Sequence, residues 1–461
     1  MKKILSLFLT SLLTVVAFAG CGAEENPSSD NTNTSSETVT TSEISSEAVT
    51  TTSKAPTSTS SKKPSSSSKI KKPSSSREET SSEYEVVYSA KEKIYYGMDP
   101  DLYKLSLKYK GNSSRIAALM KKAQKGGNYK IAVLGGSISM GAGASSVYSS
   151  YGNLICEWWC ANFPDATFEF VNAGIGSTNP EMACYRMGED LLKFKPDFVV
   201  VDFTVNTYLD YDLTNTYSSI LYKILSQKNS PAVMSIDFTS CDRNKHDYAM
   251  IYEKTKSVPN GQIDAAVKAY DVPAMSYHNY VWEKIKKNKI TWRDIGSDYI
   301  HPNNNGHMIA ANVITCYLKN VLDNLSKEST KITAPAKPEI SKYLNLGYVI
   351  NTAKNVKLSG GFSARANSGA STRGWGYTST TDASSLTVPV PANKRVKVFM
   401  SFSGDYQGNV TVTDGKSTRT ISATDARTPT LVDIGKMEGK ITLTPSADCS
   451  GFTIYGIGID N

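Results

Sequence analysis

Four short blocks of polar residues in this chain carry the groups that acyl transfer needs. Ser137 directly follows two glycines and supplies a hydroxyl that can act as a nucleophile. Gly176 and Asn206 supply a backbone N–H and a side-chain amide, which can bind a developing oxyanion together with the N–H of Ser137. Asp298 and His301 form an Asp-x-x-His pair, in which the imidazole can act as a general base and the carboxylate can orient it.

Three of these blocks follow segments that are typical of buried parallel strands. Residues 130–134 are an apolar run that stops at the two glycines. Residues 167–171 and 197–203 are similar runs, and they precede Gly176 and Asn206. Because open α/β sheets bind ligands at the carboxyl ends of their strands, we expect the three blocks to meet at one edge of a sheet.

The surrounding region alternates between strand-like and helix-like patterns. Two further strands are predicted at residues 232–236 and 272–276. Helices are predicted at residues 113–125, 151–163, 180–194, 214–228, 263–270 and 304–325. This alternation predicts a three-layer α/β/α domain with a parallel sheet over residues 84–328.

The same residues also allow plainer interpretations. A serine after a strand fits the N-cap of a helix, whereas a phosphate-binding loop is disfavoured because its lysine is absent. Gly174 competes with Gly176 for the oxyanion role. Asp294 is an alternative acid, although its spacing from His301 fits less well.

The sequence contains no motif for a metal or a cofactor, and none is predicted. The chain has four histidines, and they form no His-Glu-x-x-His or comparable set. Besides His301, His246 lies in a loop rich in Lys and Asp, His278 follows a strand, and His307 lies in the first turn of a helix. We expect these three to have structural or surface roles, with His307 serving packing or capping.

The four blocks together resemble those of the SGNH (GDSL-type) hydrolase family. Gly-Gly-Ser-Ile-Ser at 135–139 and Asn-Ala-Gly-Ile-Gly-Ser-Thr at 172–178 are similar to the first two family blocks. Asn206 matches the third block, and the pair of Asp298 and His301 matches the last. The resemblance implies a flavodoxin-like fold and a serine esterase.

The resemblance also assigns roles to the candidate residues. It implies a catalytic triad of Ser137, His301 and Asp298, with Ser137, Gly176 and Asn206 forming the oxyanion hole. Gly176 is favoured over its neighbour because the family's glycine stands just ahead of a residue pair that ends in Thr.

Flanking residues resemble the carbohydrate-esterase-like branch of that family. The matching segments are Trp158-Trp159, Phe163-Pro164 and His301-Pro302-Asn303. Two positions depart from the usual pattern. Ser139 stands where relatives often have Thr, and Thr207 stands where an Asp is usual, which removes a charge beside the site.

The N-terminal residues 1–20 resemble a bacterial lipoprotein signal peptide. Two lysines precede an apolar stretch, and small residues stand directly before Cys21. The resemblance implies cleavage before Cys21 and lipid on its thiol, which would anchor the protein to the outer face of the membrane. An ordinary signal peptide with an incidental cysteine is the alternative, and both interpretations export the protein. Residues 21–83 are rich in Ser, Thr and Pro and are predicted to be a disordered linker.

The residue pattern of 329–461 differs from that of the preceding region and predicts a second domain. Short alternating segments separated by turn residues are typical of an all-β sandwich, which could bind carbohydrate. Trp375 fits a sugar-binding platform and a core position equally well. Because the predicted site lies wholly in the α/β domain, a fragment of residues 84–327 is expected to remain catalytic.

The net charge and the cysteines limit the classes of partner and site but do not indicate a function. The formal net charge is +8 over 461 residues, and no nucleic-acid-binding motif occurs, so nucleic acid is not a predicted partner. The six cysteines besides Cys21 have spacings that match no zinc or redox motif, and their disulfide state stays open.

Taken together, the sequence favours a surface esterase that removes acyl groups, most readily acetyl, from a polysaccharide. A non-catalytic glycan-binding lipoprotein and a lipase or thioesterase are the alternatives. Four aromatic residues were candidates for the rim of the site, where they would suit stacking on sugars or contact with acyl chains: Tyr208, Tyr211, Trp282 and Trp292.

Overall fold

The structure of the chain is a computed structural model. It describes residues 99–207, 212–241, 258–366, 369–403 and 405–461. The predicted signal peptide, Cys21 and the predicted linker lie outside the described residues, as do His246, Tyr208 and Tyr211.

The N-terminal part of the described chain is built on one six-stranded sheet. Its strands are β1 (Leu107–Tyr109), β2 (Gly127–Gly135), β3 (Ala166–Gly174), β4 (Phe198–Asp202), β5 (Ala232–Asp237) and β6 (Ala274–Ser276). Its helices are α1 (Leu102–Ser106), α2 (Ser114–Ala123), α3 (Ser137–Met140), α4 (Tyr151–Asn162), α5 (Pro180–Asp190), α6 (Leu213–Leu225), α7 (Val258–Ala269), α8 (Tyr277–Lys286), α9 (Trp292–Ile295) and α10 (Asn304–Asp323).

The strand order brings the predicted polar blocks together. The order is β1-β6-β5-β4-β2-β3, and every pair is parallel except the edge pair of β1 and β6. In this register Gly135 lies opposite both Gly174 of β3 and Asp202 of β4. The carboxyl ends of three neighbouring strands therefore meet at one point.

Alternating side chains of the central strands serve two separate cores. Ile131 and Val133 of β2 pack with α2, α4, α8 and α10 on one face. Ala132 and Leu134 pack with α5, α6 and α7 on the other face. Since successive residues of a strand point to opposite faces, the sheet is covered on both sides. The three-layer fold class predicted from the sequence is confirmed.

The C-terminal part consists of two antiparallel sheets, as predicted. Its strands are β7 (Leu346–Val349), β8 (Lys357–Ser359), β9 (Phe362–Ala364), β10 (Trp375–Thr378), β11 (Ser385–Pro389), β12 (Lys394–Phe402), β13 (Asn409–Thr413), β14 (Thr418–Ser422), β15 (Thr430–Met437), β16 (Lys440–Pro445) and β17 (Gly451–Asp460). One sheet has the order β15-β12-β17-β10-β9, with β7 paired to β17, and the other has the order β14-β13-β16-β11-β8. We refer to this part of the chain as the sandwich.

The position of Trp375 decides between its two interpretations. The residue is only 1% exposed and packs in the apolar core between the two sheets. The alternative that made it an exposed sugar platform is therefore wrong.

Some elements of the α/β part were missed from the sequence. The edge strand β1 is only three residues long, and α8 begins directly after β6 with Ser276 as its N-cap. The predicted helix over 180–194 ends at Asp190, and a separate 3₁₀ turn covers Leu192–Phe194.

The structure also bears on the disulfide state of the cysteines and on helices that could cross a membrane. None of the six cysteines that the structure describes forms a disulfide bond. In the described part of the chain, no helix combines the length and hydropathy needed to cross a bilayer.

Candidate active site

The nucleophile candidate stands on a sharp turn between a strand and a short helix. Ser137 is the first residue of α3, directly after Gly135 ends β2. Gly141 ends this helix in the left-handed conformation at φ 104°, a conformation that glycine adopts without strain. The turn lifts the half-buried Ser137 above the edge of the sheet.

The structure joins Ser137 to the two other predicted triad residues. His301 Nε2 lies 2.8 Å from Ser137 Oγ, and His301 Nδ1 lies 2.6 Å from Asp298 Oδ2. Ser137 and His301 are separated by 164 positions in the chain, so the fold brings them together. The spacing allows the ring to accept the serine proton at Nε2 while Nδ1–H donates to the carboxylate.

Asp298 is held in place by the loop that it belongs to. Its Oδ1 accepts the backbone N–H groups of Ile300 and His301, both at 2.7 Å. Although partial burial acts in the opposite direction, hydrogen bonds from His301 and Ile300 hold the pKa of Asp298 below its usual value. The carboxylate is therefore ionised when it orients the imidazole.

Asp294, the alternative acid, makes contacts different from those of Asp298. Asp294 Oδ2 accepts the backbone N–H of Thr291 at 2.9 Å and its hydroxyl at 3.0 Å. These contacts form a capping box at the start of α9. The structure therefore places Asp298, and not Asp294, against the His301 ring.

The two glycines that competed for the oxyanion role occupy different surroundings. A Cβ on Gly174 would lie 2.3 Å from the backbone nitrogen of Met140, so this glycine allows two backbones to approach closely. A Cβ on Gly176 would lie 3.8 Å from Ser137 Cβ. Gly176 therefore lies on the side of the loop that adjoins the nucleophile.

Asn206 lies against the same turn from the other side. Its N–H donates to the carbonyl of Phe203 at 2.9 Å, and the residue is 8% exposed. A Cβ on Gly136 would lie 2.1 Å from Asn206 Oδ1, so the Asn206 amide packs directly on the residue before Ser137. Gly176 and Asn206 thus flank the nucleophile on opposite sides.

A buried polar network lies beneath the nucleophile, and the sequence reasoning missed most of it. Ser139 Oγ lies 2.7 Å from the hydroxyl of Tyr151 and donates to Asp202 Oδ2 at 3.1 Å. Burial, with a smaller contribution from the charge of Asp237, raises the pKa of Asp202 to about 7. A signal was present, since Asp202 is an acidic residue at the end of an otherwise apolar strand.

His307 supports the loop that follows the nucleophile. Its Nδ1 accepts the N–H of Tyr151 at 3.3 Å, and its Nε2 donates to the carbonyl of Ala142 at 3.1 Å. Burial, followed by the nearby charge of His301, lowers the pKa of His307 to about 4, although the bond to Ala142 acts against that shift. The ring is therefore neutral near pH 7, as both hydrogen bonds require.

The structure describes two of the four residues of the predicted aromatic rim. Trp292 is 1% exposed, and its Nε1 donates to the carbonyl of Asp298, so it supports the acid loop from within the core. Its predicted place on the rim is wrong, because burial leaves no face for a ligand. Trp282 is half-buried in α8, where its ring packs on the core. Among the described residues, no group of three His, Cys, Asp or Glu could hold a metal ion.

Comparisons with known proteins agree with this geometry. Residues 133–309 match the model of a family described as GDSL-like lipase/acylhydrolase. This part of the chain is similar to GDSL-type acylhydrolases. The matched range includes all of the predicted triad and oxyanion residues. No curated protein matches the chain.

Solved structures share the arrangement of both domains. One is a two-domain esterase (CEX) active on acetylated mannans, with a TM-score of 0.62 and 24% identity over 78% of this chain and 98% of that one. The same esterase co-crystallised with mannopentaose gives a TM-score of 0.63, with the same identity and coverage. At this identity the likeness establishes a shared fold for the α/β part and the sandwich.

Substitution of Gly136 by alanine tests the packing of Asn206. We expect Gly136→Ala to lower kcat for a simple acetate ester by about 100-fold, because the new Cβ displaces the amide and removing one oxyanion donor has that order of effect. Gly188→Ala is the matched control, since a Cβ at this helical glycine meets nothing within 4 Å. It should leave kcat unchanged and stabilise α5 by up to ~1 kcal/mol. Equal kcat for both variants would contradict the packing argument.

The low pKa of His307 predicts an acid-dependent loss of stability. Between its ordinary value of 6.5 and about 4, the unfolded chain binds a proton at this position that the folded chain does not. The free energy of unfolding should therefore fall as the pH drops through this window, by about 3 kcal/mol on account of this residue.

Urea unfolding at several pH values measures the effect. His307→Gln keeps a donor for Ala142 and should show a flatter dependence than the wild type between pH 6.5 and 4. The difference between the two proteins isolates His307 from the carboxyl groups that titrate in the same range. Parallel curves would show that the ring is protonated as easily in the folded chain as in the unfolded one.

Proposed function

We propose that this protein is a serine esterase that removes acyl groups, most readily acetyl, from a polysaccharide. The observation that carries the proposal is the continuous line of hydrogen bonds from Ser137 through His301 to Asp298, with distances of 2.8 and 2.6 Å. A nucleophile, a base and an orienting acid in this order are the working parts of acyl transfer.

In the proposed reaction, His301 Nε2 takes the proton of Ser137 as its oxygen attacks the ester carbonyl. The tetrahedral intermediate then collapses, the bond to the alkoxy oxygen breaks, and His301 returns the proton to the leaving sugar hydroxyl. A water molecule next attacks the acyl-serine and gives a proton to His301, the bond between the acyl carbon and Ser137 Oγ breaks, and His301 returns the proton to Oγ as the carboxylic acid leaves. Asp298 stays ionised throughout and stabilises the imidazolium.

The oxyanion would be bound by groups from three strand ends. We assign this role to the N–H of Ser137, the N–H of Gly176 and the side-chain amide of Asn206. These groups lie on rigid structure, so little reorganisation is needed as charge develops on the carbonyl oxygen. Each donor of this kind lowers the barrier by ~3 kcal/mol in comparable sites.

The choice of substrate rests on two kinds of support. The structural relative is described as active on acetylated mannans, and one of its crystals contained mannopentaose. The N-terminal sequence supports export and a lipid anchor on Cys21, which would place the enzyme where polysaccharide is available. We therefore propose acetylated glycan as the substrate class, with no nucleic acid and no cofactor involved.

A lipase or thioesterase function is the second candidate. Met140 is 39% exposed, and its Cε lies 3.9 Å from the Cβ position of Gly176. Two further exposed apolar side chains, Val147 and Tyr148, follow closely in the chain. Such groups would suit an acyl chain as well as the apolar face of a sugar.

A series of p-nitrophenyl esters tests both candidates. We expect Ser137→Ala to abolish acetate hydrolysis while the far-UV circular dichroism stays that of the wild type, because Ser137 is the nucleophile hydrogen-bonded to His301 among the described residues. For the wild type, kcat/KM should be highest for acetate and fall for butyrate through decanoate. Activity in Ser137→Ala would refute the esterase proposal, and a rise with chain length would favour the lipase.

The two nearby aspartates offer a matched test of the acid. Asp298→Asn should leave the nucleophile and oxyanion donors in place but disturb the imidazole tautomer, and it should lower kcat by about 100-fold or more. Asp294→Asn removes only an acceptor of the α9 capping box and should cost helix stability of about 1 kcal/mol with kcat nearly unchanged. A larger loss of kcat in Asp294→Asn would reverse the assignment of the acid.

A further inference from the structure

A fully buried arginine ties together the two backbone segments that flank the nucleophile. Arg186 of α5 donates to the carbonyl of Ala173 at 2.7 Å and to the carbonyl of Gly135 at 2.9 Å. It also donates to Thr178 Oγ1 at 3.0 Å. One guanidinium group therefore fixes the end of β2, the end of β3 and the loop that carries Gly176.

The charge of this arginine is balanced by a buried carboxylate, which the sandwich shares. Asp190 Oδ2 lies 3.1 Å from Arg186, and Asp190 Oδ1 lies 2.7 Å from Arg373, which precedes β10. Asp190 and Arg373 are 2% and 5% exposed. Arg373 also donates to the carbonyl of Glu189. Two domains thus meet in one desolvated ion cluster of two guanidinium groups and one carboxylate.

This cluster is sensitive to the loss of one partner. Burial raises the pKa of Asp190, while the charges of Arg186 and Arg373 act against that shift. Removing Arg373 would favour protonation of Asp190 and weaken its attraction for Arg186. A protonated Asp190 would leave the buried charge of Arg186 without a counter-ion, which is strongly destabilising, so the hold of Arg186 on its carbonyl partners would weaken.

Apolar contacts of the sandwich reach the same loop. Ile175, which directly precedes Gly176, is 1% exposed and packs in one cluster with Met182, Ala370 and Phe399. The last two of these belong to the sandwich. The loop that carries Gly176 is therefore covered by the sandwich on its apolar side and held through Arg186 on its polar side.

We propose that the C-terminal sandwich is a positioning element of the active site, acting through Arg373, Asp190 and Arg186 on the loop that presents Gly176. The proposal rests on the esterase function proposed above. It implies that the fragment of residues 84–327, which is expected to remain catalytic, has a lower kcat than the full chain, because that fragment lacks Arg373 and the apolar cover of Ile175. None of these residues contacts the reacting atoms. They position the backbone of the loop that presents Gly176.

Kinetics of the full-length chain on p-nitrophenyl acetate separate positioning from substrate binding, since this ester carries no sugar. We expect Arg373→Ala to lower kcat about tenfold or more with KM within about twofold, because a misplaced donor loses part of the 10²–10³ that a removed donor costs. Arg373→Lys should recover part of kcat. In a protein that already carries Asp190→Asn, adding Arg373→Ala should lower kcat little further.

Lys397→Ala is the matched control. Lys397 of β12 forms another ion pair between the sandwich and α5, with its Nζ 2.7 Å from Glu181 Oε1. Its kcat should stay within about twofold of the wild type. Counting reactive Ser137 with a small fluorophosphonate corrects every kcat for the fraction of folded protein.

Several results would overturn the proposal. Wild-type kcat in Arg373→Ala would refute it, and so would a raised KM with unchanged kcat, which would indicate direct contact with substrate. Equal losses in Arg373→Ala and Lys397→Ala would indicate general loosening of the two domains.

Hydrogen exchange gives a reading that does not depend on activity. Amides of residues 172–178 should exchange faster in Arg373→Ala than in the wild type and should be unchanged in Lys397→Ala. If the wild type lacks Ser137-dependent turnover, the esterase proposal fails, and the exchange data still decide whether Arg373 positions the loop. Unchanged exchange in Arg373→Ala would overturn the positioning role.

Discussion

The backbone carbonyl of Gly135 is the point on which the site depends. It accepts the N–H of Ile175 at 3.1 Å, the Thr178 hydroxyl at 3.3 Å and the Arg186 guanidinium at 2.9 Å. Gly135 itself has no room for a side chain, since a Cβ would lie 2.2 Å from Ser139 Oγ. The glycine therefore lets Ser139 and the end of β4 approach the strand closely, while its carbonyl receives three donors. The nucleophile and the loop with Gly176 consequently share a single anchor.

The polar groups below this anchor explain why the site can be rigid. Ser139, Asp202, Tyr151 and His307 are all buried, and each is hydrogen-bonded in the described structure. Leaving a buried polar group unpaired costs about 1–3 kcal/mol, so any movement of the turn that breaks one of these bonds is unfavourable. The network thus confines Ser137 to the geometry in which its hydroxyl meets His301.

Features encoded by neighbouring residues were easier to predict from the sequence than features that depend on residues far apart in the chain. The strand-end blocks, the Asp-x-x-His pair and the layer alternation are local patterns, and the predicted fold class was confirmed. The bond from Arg186 to Gly135 spans 51 positions, and the bond from Arg373 to Asp190 spans 183, and no local pattern marks such partners. Their identification needed the register of the sheet and the packing of the second domain.

Exposure is the other property that residue type alone did not reveal. Trp292 and Trp375 were both candidates for contact with sugar, and each is only 1% exposed. A large aromatic residue gains more by burial than most side chains, so a core position is its commonest explanation. The short antiparallel strand β1 was missed for a related reason, because three residues are too few to show a period.

Two carboxylates near the site show how surroundings shift the pKa of the same group in opposite directions. Asp202 is fully buried, and its pKa rises to about 7 because its one side-chain hydroxyl donor does not offset desolvation. Asp298 is 44% exposed at its side chain and receives two backbone N–H groups and the imidazole, so its pKa falls.

The Asp-x-x-His spacing allows Asp298 to be oriented toward His301 and kept ionised at the same time. With two residues between the acid and the base, Oδ1 can accept the N–H groups of Ile300 and His301 while Oδ2 remains in line with the ring nitrogen. The loop therefore orients the carboxylate and keeps it ionised with the same hydrogen bonds. A partly exposed aspartate can then serve as the orienting acid without the surrounding protein burying it.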